Sequence, residues 1–226
     1  MKIPPILAGL LVTTLAHGAG TIRQEHDIPA IDRVVLETPG DLEIRPGAQA
    51  RLSIEAEQKV LDALDFSTSG GTLTLRSKGG GFSTQYGINY VVVVPHLHLL
   101  SNRGSGGATV GAFHGDTLDV ELAGSGNIAL DGVEAKRLSL HVSGSGSIAA
   151  TGNGDALKAE ISGSGSIDAE HYAAARAEAK IGGSGEIRVH ARERLDADIS
   201  GAGNIRYLGK PSITHAITGA GSVDPL

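Results

Sequence analysis

Leu118-Asp119-Val120-Glu121-Leu122-Ala123-Gly124-Ser125-Gly126-Asn127-Ile128 is the stretch whose reading decides the fold. Apolar and acidic side chains alternate up to Leu122, a serine between two glycines interrupts them, and Ile128 resumes the apolar positions. Alternation with period two is the mark of a strand with one buried face. The triplet then recurs as Gly104-Ser105-Gly106, Gly144-Ser145-Gly146, Gly163-Ser164-Gly165, Gly183-Ser184-Gly185, Gly201-Ala202-Gly203 and Gly219-Ala220-Gly221, with first-glycine spacings of 20, 20, 19, 20, 18 and 18.

Around these triplets the apolar positions form columns. Four residues after the first glycine stand Ala108, Ile128, Ile148, Ile167, Ile187, Ile205 and Val223; two residues before it stand Asn102, Leu122, Val142, Ile161, Ile181, Ile199 and Ile217. Between the columns the side chains are polar, as in Glu121, His141, Glu160, Lys180 and Asp198. One strand–corner–strand unit cannot bury its apolar side alone, so each must cover the next. The expected fold is all-β: a right-handed parallel β-solenoid, or β-helix, of 18–20-residue coils with Gly-Ser/Ala-Gly corners, its hand following the usual crossover rule. Gly104, Gly106, Gly124, Gly126, Gly144, Gly146, Gly163, Gly165, Gly183, Gly185, Gly201, Gly203, Gly219 and Gly221 are read as structural corners that need positive φ or close backbone approach. The central serines are read as structural too, since two units carry alanine there and no Gly-x-Ser-x-Gly elbow is present.

Residues 19–100 are β-rich without this repeat. Strands are expected at Ile31–Leu36, Leu42–Arg45, Arg51–Ala56, Leu73–Arg76 and Ile88–Val94, with a helical turn near Gln58–Leu64, as a part that continues or caps the solenoid before residues 101–226. Residues 1–18 read as a secretory leader: Lys2, an apolar run from Ile6 to Ala16, then the small residues Ala16 and Gly18, with cleavage placed between residues 16 and 19. That run is too short to span a bilayer, so the chain is expected to be exported, to the periplasm or the cell surface, and not to span the membrane after cleavage.

The 226 residues include 33 glycines, no cysteine, no tryptophan and 3% aromatics, with a formal charge of −6. These values exclude a disulfide frame or thiolate chemistry and argue against a nucleic-acid partner, which needs a basic stripe. The Gly-Gly-x-Gly-x-Asp period of calcium-binding solenoids, the six-residue period of hexapeptide transferases and the phosphate-binding glycine fingerprints are all missing. His96 and His98 stand two apart on an expected strand, but the other histidines fall in different repeat phases, so no metal site is assigned. No cofactor and no catalytic residue is assigned either.

The units Gly124-Ser125-Gly126-Asn127-Ile128 and Gly201-Ala202-Gly203-Asn204-Ile205, the strand Tyr90–Val94 closing at Pro95, and the opening Gly40-Asp41-Leu42-Glu43-Ile44 with Gly47 resemble the bacterial GIN-domain family, described as the head of putative autotransporter adhesins. The resemblance runs over residues 28–226. It implies a secreted β-solenoid without an established catalytic site and with a role in adhesion, and it supplies no binding residues.

The expected function is therefore a noncatalytic binding module of the envelope or cell surface, with a protein or glycan partner and with self-association through the solenoid ends. The alternatives are a glycan-active enzyme using outward groups such as Asp119, Glu121, Lys158, Glu160, Glu178 and Lys180, or a periplasmic scaffold or sensor accessory. The candidate contact loop is Gly79–Tyr90, with Phe82, Gln85, Tyr86 and Tyr90 as its contact residues, because exposed rings flanked by glycine can stack on a sugar or a partner side chain.

Overall fold

The computed structural model describes residues 13–16, 20–79 and 83–226. The amino-terminal part comprises β1 (Thr13–Ala16), β2 (Ile22–Asp27), β3 (Arg33–Leu36), β4 (Asp41–Pro46), β5 (Arg51–Ala56), α1 (Gln58–Ala63), β6 (Leu64–Ser69), β7 (Thr72–Ser77), β8 (Asn89–Val94) and β9 (Leu99–Asn102). The repeats supply β10 (Ala108–Val110), β11 (His114–Leu122), β12 (Asn127–Val142), β13 (Ser147–Ile161), β14 (Ser166–Ile181), β15 (Glu186–Ile199), β16 (Asn204–Leu208), β17 (Ser212–Ile217) and β18 (Ser222–Pro225). Of the expected leader, only β1 is described; it runs antiparallel to β2.

The strands stack in parallel, forming a β-solenoid of about 6 turns. Leu118, Leu138, Leu157, Ala177, Leu195 and Ile213 stand in register in one column, and Ala108, Ile128, Ile148, Ile167, Ile187, Ile205 and Val223 in another. The same stacks continue into the non-repeating part: β9 lies on β3 and β3 on β7, while β10 lies on β4 and β4 on β8. Antiparallel pairing begins only at the amino-terminal end, where β5 joins β8 to β2 and β6 folds back on β7. One hydrophobic core runs unbroken from Ile28 to Ile205.

Each full coil has three arms where the sequence reading expected two strands about one corner. In β12 the buried residues are Ile128 and Leu130, then Val133 and Ala135, then Leu138, Leu140 and Val142. Two adjacent outward residues, Asp131-Gly132 and again Lys136-Arg137, shift the phase of the alternation between arms. The first turn passes through Gly132 at a φ of 66°, outside strand geometry, and there the ladder to β13 is irregular between Leu130 and Val133.

The triplet corner exists for close approach alone, since none of its glycines has positive φ. A Cβ on Gly163 would fall on the carbonyl oxygen of Gly144, and one on Gly183 on that of Gly163; the relation repeats through Gly201 and Gly219. That same carbonyl is used: Gly144 O accepts from Ser164 N at 3.1 Å, Gly163 O from Ser184 N at 3.1 Å and Gly183 O from Ala202 N at 2.9 Å. At the first repeat, Gly104 and Gly106 sit against the backbone of Thr38 and Gly40, so Thr38-Pro39-Gly40 is the corner before the triplets begin. Asn102, fully buried in an otherwise aliphatic column, ties its amide to this turn through Gly106 O at 2.9 Å and Gly104 N at 3.0 Å.

One rung departs from its neighbours. In β13 the inward positions matching Val133 and Ala135 are Gly152 and Gly154. The vacated space holds the ring of Tyr172 from β14, wholly buried, whose hydroxyl donates to Ala135 O at 2.8 Å across the intervening rung. A Cβ on Gly154 would collide with that hydroxyl.

Gly163→Ala is expected to cost about 2–3 kcal/mol, because the clash is with backbone and cannot relax locally. Gly115→Ala, where a Cβ meets nothing within 4 Å, is expected to be within about 0.5 kcal/mol of the parent. Tyr172→Phe, which removes the buried hydrogen bond to Ala135 O, should cost about 1 kcal/mol. Urea unfolding midpoints at unchanged slope test all three.

Candidate functional site

The outward side chains of the long arm form two ladders in register. Thr117, Arg137, Ala156, Arg176, Arg194 and Ser212 make one; Asp119, Ser139, Lys158, Glu178, Asp196 and Thr214 make the other. Parallel stacking holds successive members about 4.8 Å apart. Ala156, between Arg137 and Arg176, opens a cleft of 360 Å³ floored by Leu138, Leu157 and Ala177. Through Thr117, Asp119 and Ser139 it continues into a depression of 560 Å³ that reaches Arg33 and His98. Through Glu178 and Asp196 it continues into one of 380 Å³ that ends at Thr214 and His215. The three depressions thus lie in series along the solenoid axis and form a shallow groove.

Several cations of this face are paired along their own strand. Lys158 pairs with Glu160 at 3.1 Å, Lys180 with Glu178 at 2.6 Å and Arg194 with Asp196 at 2.7 Å. The Lys158 ammonium holds the Glu160 carboxyl below its usual range, and the Arg194 guanidinium does the same to Asp196. These acids are thus held as anions, where a glycosidase needs one carboxyl raised to serve as proton donor. Among the described residues, neither Arg137 nor Arg176 has a carboxylate within 4.0 Å, and both are exposed. They flank the cleft two rungs apart, about 10 Å.

The expected contact loop is not a single surface. Tyr90 lies in β8, only 2% exposed, against Gly40; it is a core residue, and burial pushes its hydroxyl pKa up to about 12. The inward alternation of β8 put it there. Tyr86 is 47% exposed, and Gln85 beside it donates its backbone N–H to Glu57 at 2.9 Å. Phe82 lies outside the described residues. His96 and His98 occupy the connection between β8 and β9 rather than a strand, and His98 faces Asp32 at 3.0 Å.

A family model described as "Putative auto-transporter adhesin, head GIN domain" matches residues 31–211. The chain belongs to this family. Solved structures agree on the GIN-domain fold. A putative adhesin from Bacteroides fragilis superposes with a TM-score of 0.88 at 22% identity, covering 91% of this chain and 97% of that one. A structure from Parabacteroides distasonis described as a putative lipid binding protein gives 0.74 at 27% identity, over 92% and 98%. A putative adhesin from Parabacteroides merdae gives 0.72 at 20%, over 92% and 97%. The comparison with curated proteins gives no match.

At the amino-terminal end of this GIN domain the structure shows a feature that the sequence reading passed over. His26 in β2 is 6% exposed, packs its ring 4.9 Å from that of Phe66, and has no hydrogen-bond partner at either nitrogen. Burial pushes its pKa below 6.5. The unfolded chain therefore binds this proton more readily than the folded one, so the contribution to stability is complete above about pH 6.5 and is lost as the pH falls below it. His26→Leu should flatten the decline in melting temperature between about pH 6.5 and 5, measured against the parent in the same buffers.

Proposed function

We propose that this GIN domain is a noncatalytic adhesion module, exported to the bacterial envelope or surface, that holds an acidic glycan strand along the groove of the long arm. The observation that carries the reading is the pair of guanidiniums without a carboxylate partner, Arg137 and Arg176, flanking the cleft at Ala156 in a series of depressions along the solenoid axis. An elongated surface groove suits a polymer. Guanidiniums recognise carboxylate or sulfate groups by paired hydrogen bonds, and the hydroxyls of Thr117 and Ser139 can meet sugar hydroxyls. The family description supports adhesion as the role, and the apolar run ahead of Ala16 supports export. No helix among the described residues is long and apolar enough to cross a membrane.

The test is binding of the purified mature chain to a panel of acidic and neutral polysaccharides, with product analysis on the same samples. Retention of an acidic polymer is expected, weakened roughly tenfold to a hundredfold by Arg137→Ala with Arg176→Ala and weakened also by salt. Equal retention by the double variant, or release of reducing or unsaturated ends from any polymer, would overturn the proposal.

A further inference from the structure

The solenoid is finished differently at its two ends. At the amino-terminal end the parallel stack gives way to the antiparallel strands β2, β5 and β6. Towards the carboxyl end, among the described residues, β17 pairs only with β15, and all six of its residues are exposed. Ile213 and Ile217 are 38% and 40% exposed, whereas Leu195 and Ile199, which precede them in the same columns, are fully buried.

The free edge has a definite hydrogen-bonding phase. Thr218 N donates inward to Ile199 O at 2.8 Å. With period two, the N–H and C=O groups of Ile213, His215 and Ile217 therefore point away from β15, towards the open end. The segment Ile213-Thr214-His215-Ala216-Ile217 is also nearly the same read in either direction. It holds no Lys, Glu, Asp or Pro, the residues with which natural edges are guarded against pairing.

We propose that β17 is the seam of a tail-to-tail homodimer, with β17 of one copy running antiparallel to β17 of the other about a two-fold axis at His215. In that register Ile213 faces Ile217 of the second copy, His215 faces its own counterpart, and Thr214 faces Ala216. The three residues whose backbone groups point outward are the three that fall in hydrogen-bonded pairs, giving six bonds across the seam. The pairing puts Ile213 and Ile217 on one side of the joint sheet, so the aliphatic columns continue into the second molecule. A two-fold axis closes the assembly at two copies, because it consumes the carboxyl end of both. A head-to-tail contact would instead leave a free end on every assembly. The contact is small, below the ~1,200 Å² of standard interfaces, so the dimer forms at concentrations on the order of micromolar or above.

The chain has no cysteine of its own, which makes cross-linking decisive. Residues in a hydrogen-bonded antiparallel pair stand about 5.5 Å apart between Cα atoms, within disulfide reach. Under mild oxidation His215→Cys is expected to become a covalent dimer, while Ser212→Cys, opposite Thr218 of the second copy, is expected to react at least about tenfold more slowly. Sedimentation of the parent should show a monomer–dimer equilibrium, and Ile213→Lys with Ile217→Lys, both exposed, should shift it to monomer with unchanged circular dichroism. Equal cross-linking of the two cysteine variants, a parent monomeric up to about millimolar concentration, or growth past the dimer would each overturn the proposal.

Discussion

The carbonyl oxygen of one corner glycine lies where the Cβ of the corner glycine in the next rung would be. Everything else in the molecule depends on that contact. It lets the backbone fold sharply at the same height in every coil, and the same oxygen accepts a hydrogen bond from the small residue at the centre of the following triplet. Once the corners superpose, the aliphatic columns on either side superpose as well, and each rung covers the apolar face of the one before it. The thin interior is filled mainly by leucine, isoleucine, valine and alanine, packed between backbones that are already close.

This arrangement separates the two surfaces of the sheet. Inside, every position is tied to its column. Outside, a side chain is free to vary, provided that it tolerates a neighbour about 4.8 Å above and below. The chain uses this freedom on β13, β14 and β15 to place opposite charges two residues apart on one strand, which limits net repulsion between these stacked rungs. Against that background Arg137 and Arg176 stand out because they break the rule: their strands offer no acid at hydrogen-bonding distance. A glycan-active enzyme would use the same face differently, with one carboxyl shielded from cations and pushed upward.

The sequence made the repeating half legible because its triplets mark the one corner where no other residue fits, and its columns alternate on both sides of them. It hid the other two turns of each coil. Those turns are made by adjacent outward residues such as Asp131-Gly132 and Lys136-Arg137, which carry no constant glycine marker; even the arginines that recur at Arg137, Arg176 and Arg194 look like ordinary outward positions. The amino-terminal end was only partly readable for a related reason. The alternation of β8 was plain, yet Tyr90 within it was read as an exposed ring because of the glycine-rich loop before it. β2 and β6 went unseen, since both carry polar side chains on a sheet that is only partly buried. Of the site, the ladders of charge were visible, but whether a given arginine has a partner depends on which way neighbouring side chains lean.

A stack of near-identical rungs has an inherent ambiguity: a coil of 18–20 residues could pair with the wrong neighbour, one rung out of step, and lose few contacts. The Tyr172 ring resolves it. The rung with Gly152 and Gly154 admits the ring, and Ala135, one rung further, accepts its hydroxyl. A slipped stack would press the phenol against a filled arm and strand its hydroxyl in hydrocarbon. The tyrosine therefore works as an index mark, giving a translationally repetitive molecule one absolute address from which all the other rungs are counted.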